Sequence, residues 1–283
     1  MFKFNFGNAD VTNEEKSENK DDELQWFPAK EVRIPTHLLE KGVDKELVFS
    51  NNTSIENCPL KLVDSNAVID KLTEENSEII VEAESKHSDL LPAKYEGGLK
   101  IWECTYDLGN HILNEKISLE NKKILDLGCG AGILGIIALL KGSTVDFQDY
   151  NQEVIEAYTI PNVILNCDGS DVIEKKCKFY CGDWKAFIDL KESSENDEKY
   201  DFILTSETIY NPDNNEKLYN VFKHLLKKNG IGFVAGKVHY FGVGGNMREF
   251  ESLIKKDDVF EVTSICCNTE GLRREILILK QHQ

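Results

Sequence analysis

The chain has 283 residues, room for one sizeable α/β domain with a shorter appended segment. Its apolar fraction, 41%, lies slightly below the usual range and its charged fraction, 29%, slightly above it, so part of the chain is expected outside a packed core. The net charge of -17, with acid concentrated before residue 90, argues against unspecific nucleic-acid binding because phosphates would be repelled; it suits a basic protein or peptide partner. The opening Met-Phe-Lys-Phe-Asn-Phe has no secretory apolar core, and no apolar run approaches membrane-spanning length. Cytosol and nucleus are the expected compartments, with the nucleolus open. None of the eight cysteines forms a C-x-x-C pair, and no histidine pair has zinc-finger spacing, so no metal site is expected and the thiols read as small hydrophobes.

Along the chain, Phe2, Phe4 and Phe6 alternate as in a frayed edge strand or a docking motif. Residues 7–25 are polar, without hydrophobic period, and are expected to be disordered. Residues 26–86 hold thin apolar patches (Trp26-Phe27, Ile34-Pro35, Ile79 to Val81) and read as a partly ordered extension wrapped on the main domain. The division is placed at 1–87 for the acidic extension and 88–283 for the domain. Residues 99–115 have near-helical apolar spacing after the flexible Gly97-Gly98. Strand-length apolar runs follow at 122–127, 143–148, 177–181, 200–205 and 231–236, with helical segments at 132–141, 151–158 and 214–228 between them. The last of these helices is expected to end at Lys227, Lys228 and Asn229-Gly230. A final helix at 246–256 precedes an antiparallel strand pair, 258–267 and 274–280. Strand–helix alternation predicts a parallel sheet with helices on both faces, an α/β Rossmann-like fold.

The chemistry gathers at the strand ends. Ile124 to Gly132 (ILDLGCGAG) reads as strand, glycine turn and apolar helix, a turn that lets backbone approach a ligand and presents N–H groups at a helix start. Nucleotide, flavin and methyl-donor sites all use such a turn, and a plain structural turn looks the same. Asp126, ahead of Gly128, suits a ligand with a cationic amino group and would repel a pyrophosphate. Asp149, about twenty residues past the glycines, can accept from both ribose hydroxyls, with Tyr150 offering an aromatic face to adenine. Asp183 and Trp184 follow the third strand and can take the adenine amino group and ring; Thr205 to Pro212 follows the fourth. In open parallel sheets the ligand lies at the carboxyl ends of the strands, where all four segments fall. A nicotinamide dehydrogenase is disfavoured by Asp126 and by the lack of room for a second domain. A catalytically silent donor-binding regulator and a pure interaction protein remain open.

These stretches resemble a seven-strand methyltransferase dependent on S-adenosylmethionine, and more closely the protein-histidine methyltransferase family, related to the family 16 protein-lysine methyltransferases. The likeness runs through Ser88–Thr105, Ile124–Gly132, Phe147–Asn151, Pro161–Val163, Gly182–Trp184, Ser206–Tyr210 and His239–Gly245. YEGGLKIWECT and SETIY are its specific parts. The resemblance implies a mostly parallel seven-stranded sheet with the last strand antiparallel. It implies a donor pocket from Ile101, Trp102, Glu103, Cys104 and Thr105, completed by Gly128 and Gly130, by Gln148, Asp149, Tyr150 and Asn151, by Gly182, Asp183 and Trp184, and by Ser206. It also implies a substrate histidine on a large-subunit ribosomal protein, with the enzyme acting as a monomer. Glu207 to Tyr210 resembles the D-x-x-Y element of the lysine enzymes with Glu for Asp, which keeps lysine open as acceptor. Glu207 is the first candidate to contact substrate and Tyr210 the second; Glu207 as a solvated loop acid remains the plain reading. The glycine-rich segment His239 to Gly245 reads either as a loop closing over a peptide or as a long connection.

Overall fold

The computed structural model describes residues 26–49, 55–167, 169–194, 198–268 and 270–282; the expectations for Phe2 to Phe6 and for 7–25 fall outside them. The segment before the domain supplies β1 (Lys30–Val32), α1 (Thr36–Lys41), the short ribbon β2 (Val48–Phe49) and β3 (Leu62–Val63), then α2 (Ser65–Glu74) and α3 (Glu78–Ser85). Next come α4 (Glu103–Asn114), β4 (Lys123–Leu127), α5 (Ile133–Leu140) and β5 (Thr144–Asp149). A helix running from α6 (Gln152–Val154) through one π-helical segment (Ile155–Thr159) into α7 (Ile160–Asn166) leads to α8 (Ser170–Lys176) and β6 (Cys177–Cys181). The rest is α9 (Trp184–Glu192), β7 (Tyr200–Ser206), α10 (Asn215–Leu225), β8 (Leu226–Lys237), α11 (Met247–Asp257), β9 (Phe260–Cys266) and β10 (Arg274–Gln281).

The main sheet has eight strands in the order β1-β6-β5-β4-β7-β8-β10-β9. The five strands β6, β5, β4, β7 and β8 run parallel, and β10 lies antiparallel between β8 and β9. All seven expected strands are present, with the last one antiparallel. The eighth, β1, comes from the extension and pairs antiparallel with the edge strand β6. Alternate side chains leave the sheet on opposite faces. From β4, Ile124 joins a core with α4, α5, α7 and the extension, while Leu125 and Leu127 join one with α9, α10 and α11. The extension adds Leu60, Val63, Val68, Leu72 and Ile80 to the first core, and Asn162 Oδ1 on α7 accepts from the Val63 N–H at 2.7 Å.

Two boundaries differ from expectation. Helix α10 ends at Leu225, and residues 226–230 already belong to β8. Leu226 is buried and pairs with Tyr200 across a register shift, and Lys227 reaches Asp201 at 3.1 Å; burying Leu226 beside β7 outweighs one more helical turn. Helix α4 starts at Glu103 rather than residue 99, because Leu99 is drawn into the core ahead of it. Helix α11 starts as expected, closed by a reciprocal cap in which Asn246 Oδ1 accepts from the Glu249 N–H at 2.8 Å and its Nδ2 donates to Glu249 Oε2 at 3.0 Å.

One buried ion pair fastens α9 to the sheet. Lys191 Nζ lies 2.8 Å from Asp146 Oδ2 and 3.3 Å from the Tyr180 hydroxyl, and the Tyr200 hydroxyl donates to the same Asp146 oxygen at 2.7 Å. Removing one partner of such a pair leaves an uncompensated buried charge, whereas removing both does not. Lys191→Met is therefore expected to cost about 3 kcal/mol in urea unfolding. Lys191→Met with Asp146→Asn should lose much less than the sum of the singles; simple additivity would show that the pair is not coupled.

Candidate active site

The glycine turn after β4 is shaped by close backbone approach. Gly130 has φ +48°, and a Cβ there would fall 2.9 Å from the Gly98 carbonyl oxygen, so the loop before α4 rests directly on the turn. Asp149, at the end of β5, accepts from the Gly130 N–H at 2.9 Å and from the Asn151 N–H at 3.3 Å. Burial pushes Asp149 up to about 6, with the backbone N–H groups pulling the other way.

Around this point opens a cleft of about 780 Å³ at the carboxyl ends of the parallel strands. Gly128 and Gly130 line it from the β4 turn, Asp149 and Tyr150 from β5, Gly182, Asp183 and Trp184 from β6, and Ser206 from β7. Ile101, Trp102 and Thr105 close it from the start of α4, where Thr105 Oγ1 and Ser206 Oγ share a hydrogen bond of 2.8 Å.

Five expected donor-site residues stand behind this wall instead of lining it. Asp126, only 2% exposed, accepts from the Gly135 N–H at 2.8 Å. Burial raises its carboxyl to about 8 against the pull of the Gly135 N–H, and it supports the turn from beneath. Gln148 props Trp184, whose indole N–H donates to Gln148 Oε1 at 3.0 Å, while its Nε2 donates to the Gly182 carbonyl at 2.8 Å. Asn151 ties the loop before α4 to β5 by accepting from the Glu96 N–H at 3.2 Å and donating to the Lys94 carbonyl at 2.6 Å. Cys104 is buried in α4, and its backbone N–H points to Glu207 at 3.4 Å. Glu103 does not line the cleft; half-exposed to solvent, its carboxylate reaches Lys237, 3.0 Å away.

Other wall residues had not been expected. Trp26 lines the cleft and meets Tyr150 edge-on at 5.8 Å, and Lys217 Nζ stands 3.3 Å above its ring while reaching Asp183 Oδ1 at 2.6 Å. Phe27 stacks on Tyr150 at 5.1 Å, so one face of that ring is already covered. No local pattern marks Trp26, because the antiparallel pairing of β1 with β6 alone carries it there. Glu96 and Gly98 lie in the stretch with family likeness, yet only their contacts reveal a role.

A second cavity of about 710 Å³ shares Glu96, Trp102, Glu207 and Tyr210 with the first and is otherwise walled by Lys237 and by the loop holding His239, Tyr240 and Phe241. That loop is fixed at its base. The Gly245 N–H donates to the Tyr210 carbonyl at 2.9 Å, where a Cβ would come within 2.1 Å of the Ile209 carbonyl oxygen. Phe241 at its tip is 72% exposed. Glu207 is 7% exposed and has φ +60°, a left-handed backbone that costs a side-chain-bearing residue about 1–2 kcal/mol. Its N–H is pinned to the Ala235 carbonyl at 2.9 Å. Oε1 lies 3.5 Å from Lys237 Nζ, and Oε2, fully buried, has no hydrogen-bond partner among the described residues. The Tyr210 hydroxyl donates to Glu96 Oε2. Burial and that carboxylate push it well above its ordinary value, so it is a fixed donor rather than a base. Glu96 is itself raised by burial. Among the described residues no group of three His, Cys, Asp or Glu is placed to hold a metal ion.

Comparison with known proteins falls in line with this geometry. A family model described as lysine methyltransferase matches residues 93–242, more than half of the chain. The chain is 42% identical over 267 residues to the histidine protein methyltransferase 1 homologue of Bos taurus, covering 87% of this chain and 70% of that one. To the protein N-lysine methyltransferase METTL21A of Xenopus tropicalis it is 24% identical over 140 residues, 50% of this chain and 60% of that one. The crystal structure of a magnesium protoporphyrin IX methyltransferase from Synechocystis, with bound SAH, shares the fold, with a TM-score of 0.50 at 13% identity over 77% of this chain and 100% of that one. The chain thus belongs to the methyltransferase family of that model, together with the histidine protein methyltransferase 1 homologues, and is an S-adenosylmethionine-dependent enzyme.

Proposed function

We propose that the chain is a protein-histidine N-methyltransferase acting, in cytosol or nucleus, on a basic protein, with a histidine of a large-subunit ribosomal protein as its substrate. One observation carries the reading: Glu207 holds a buried, unpartnered carboxylate oxygen in the wall shared by the two cavities. The first cavity fits the donor. Gly98 and Gly130 pack backbone against backbone in its wall, Asp149 offers carboxylate lone pairs to a ribose, and Trp102, Trp184 and Trp26 give apolar faces. When bound, S-adenosylmethionine supplies a methyl group on a cationic sulfur.

The second cavity takes the acceptor side chain. Glu207 Oε2 accepts a hydrogen bond from one imidazole N–H, which turns the lone pair of the other ring nitrogen toward the first cavity. Trp102 and Tyr210 line both cavities and bring apolar surface to the place where they meet. Once the ring has gained its methyl group and positive charge, its N–H proton leaves through Glu207. A histidine with ordinary pKa of about 6.5 is mostly neutral at pH 7, whereas a lysine near about 10.4 must first shed a proton. The higher identity and coverage toward the histidine-named relative support the same choice, and the acidic chain suits a basic partner. The family model's lysine description keeps methyllysine as the measured alternative.

Incubation with tritiated donor and a ribosome-containing extract, followed by hydrolysis of the labelled band, should place label in methylhistidine; label in methyllysine would overturn the reading. Glu207→Gln is expected to lower kcat by roughly 100-fold or more while donor affinity in calorimetry stays within about threefold. A kcat close to wild type would remove Glu207 from the mechanism. Asp149, held up at about 6, is ionised above that pH and protonated below it. Donor affinity should therefore be flat above about pH 7 and fall as pH drops through about 6. Asp149→Asn should weaken binding and abolish the fall; an unchanged pH profile in that variant would assign it elsewhere.

A further inference from the structure

Lys237 ends β8 and is buried, yet no motif singles it out. Its Nζ lies 3.0 Å from Glu103 Oε2 and 3.5 Å from Glu207 Oε1, and it sits over the rings of Trp102 at 5.3 Å and Tyr240 at 5.8 Å. Its backbone N–H donates to the Tyr240 hydroxyl at 3.1 Å. One ammonium thus reaches two carboxylates, Glu207 in the cavity wall and the half-exposed Glu103 outside it. It engages the Oε1 side of Glu207 and leaves Oε2 buried without a partner.

We infer that Lys237 is a positioning residue that holds Glu207 by Oε1 and so fixes how its carboxylate meets the acceptor side chain. The inference rests on the protein-histidine reading above. It follows from the contacts: Nζ is a cation 3.5 Å from Glu207 Oε1, and it is held there by Glu103 and beside the Trp102 and Tyr240 rings. Without Lys237 the buried Glu207 carboxylate would lose the cation that pulls on it and on Glu103. The cluster already shows this pull on Glu103: burial raises its pKa, but the Lys237 hydrogen bond and charge bring it below the ordinary value. The groups facing Glu207 from the packed elements are Glu103 and Cys104 on α4, Lys237 on β8, Tyr240 and His239 in the following loop, and Glu96 before α4. Arg274 on β10 is occupied by Asp107 at 2.6 Å.

The test measures the initial rate of tritium transfer into methylhistidine in a ribosome-containing extract, beside donor affinity by calorimetry, for wild type, K237M and K237R. K237M is expected to lose at least about tenfold in rate with donor affinity within about threefold. K237R should recover most of the rate. A purely packing role for Lys237 would lower rate and donor affinity together, and this result overturns the inference. It is equally overturned if K237M keeps the wild-type rate, or if K237R is as slow as K237M with donor still bound. Should K237M fail to bind donor, K237R decides by the same criterion. Wild-type protein that labels no histidine at all would instead refute the underlying reading.

Discussion

The structure turns on the carboxylate of Asp149 bonded to the N–H of Gly130. That contact joins the end of β5 to the turn after β4, and the Gly98 carbonyl packs against the same glycine from the loop before α4. A hydrogen bond to an ionised carboxylate contributes roughly 1.5–3 kcal/mol when its geometry is kept, and here the acceptor is fully enclosed. Three chain segments distant in sequence are thereby held at one point. Any side chain at Gly130 would push the α4 loop away and open the cleft on its Trp102 side. The aspartate faces a balance between burial, which favours its neutral form, and backbone N–H groups, which favour the anion. The outcome is a carboxylate still ionised at neutral pH but poorly solvated, a state in which a ligand hydroxyl is a strong partner.

Much of this was legible before the fold was seen, because it depends on local patterns. The seven strands show as short apolar runs, and the glycine turn shows itself by composition. The rule that ligands lie at carboxyl strand ends brings Asp149, Trp184, Ser206 and Glu207 to one edge. What was not legible depends on partners far along the chain. Strand β1 is only Lys-Glu-Val, with no pattern of its own, and is a strand because β6 offers an open edge. Through it Trp26 arrives at the cleft. Asp126 looks from the sequence like an anchor for an ammonium group, yet its place under the turn, bonded to Gly135, makes it a support. Gln148 and Asn151 lie in the right stretch and serve the wall from behind, a distinction of side-chain direction that spacing does not encode. The cations at 227 and 228 suggest a helix end, but burial of Leu226 against β7 decides the boundary.

The two cavities answer different physical demands although they share Glu96, Trp102, Glu207 and Tyr210. The donor side needs aligned backbone and apolar faces for a ligand that arrives with its charge. On the histidine reading proposed above, the acceptor side receives a positive charge that was not there before. Glu207, held by Lys237, stands there, and the strained backbone of Glu207 places it at the boundary. A residue in left-handed conformation persists only where its surroundings over-determine it. Here the Glu207 N–H is fixed to β8, and its carboxylate faces the Lys237 ammonium from the same strand. Strand β8 therefore sets both the backbone and the charge of Glu207. The following loop, fixed by Gly245 on the Tyr210 carbonyl, frames the cavity mouth with Phe241 outermost. Specificity in such a site comes less from the depth of the pocket than from how many unpaired polar atoms are left for the incoming side chain. In the wall shared by the two cavities, Glu207 Oε2 is such an atom.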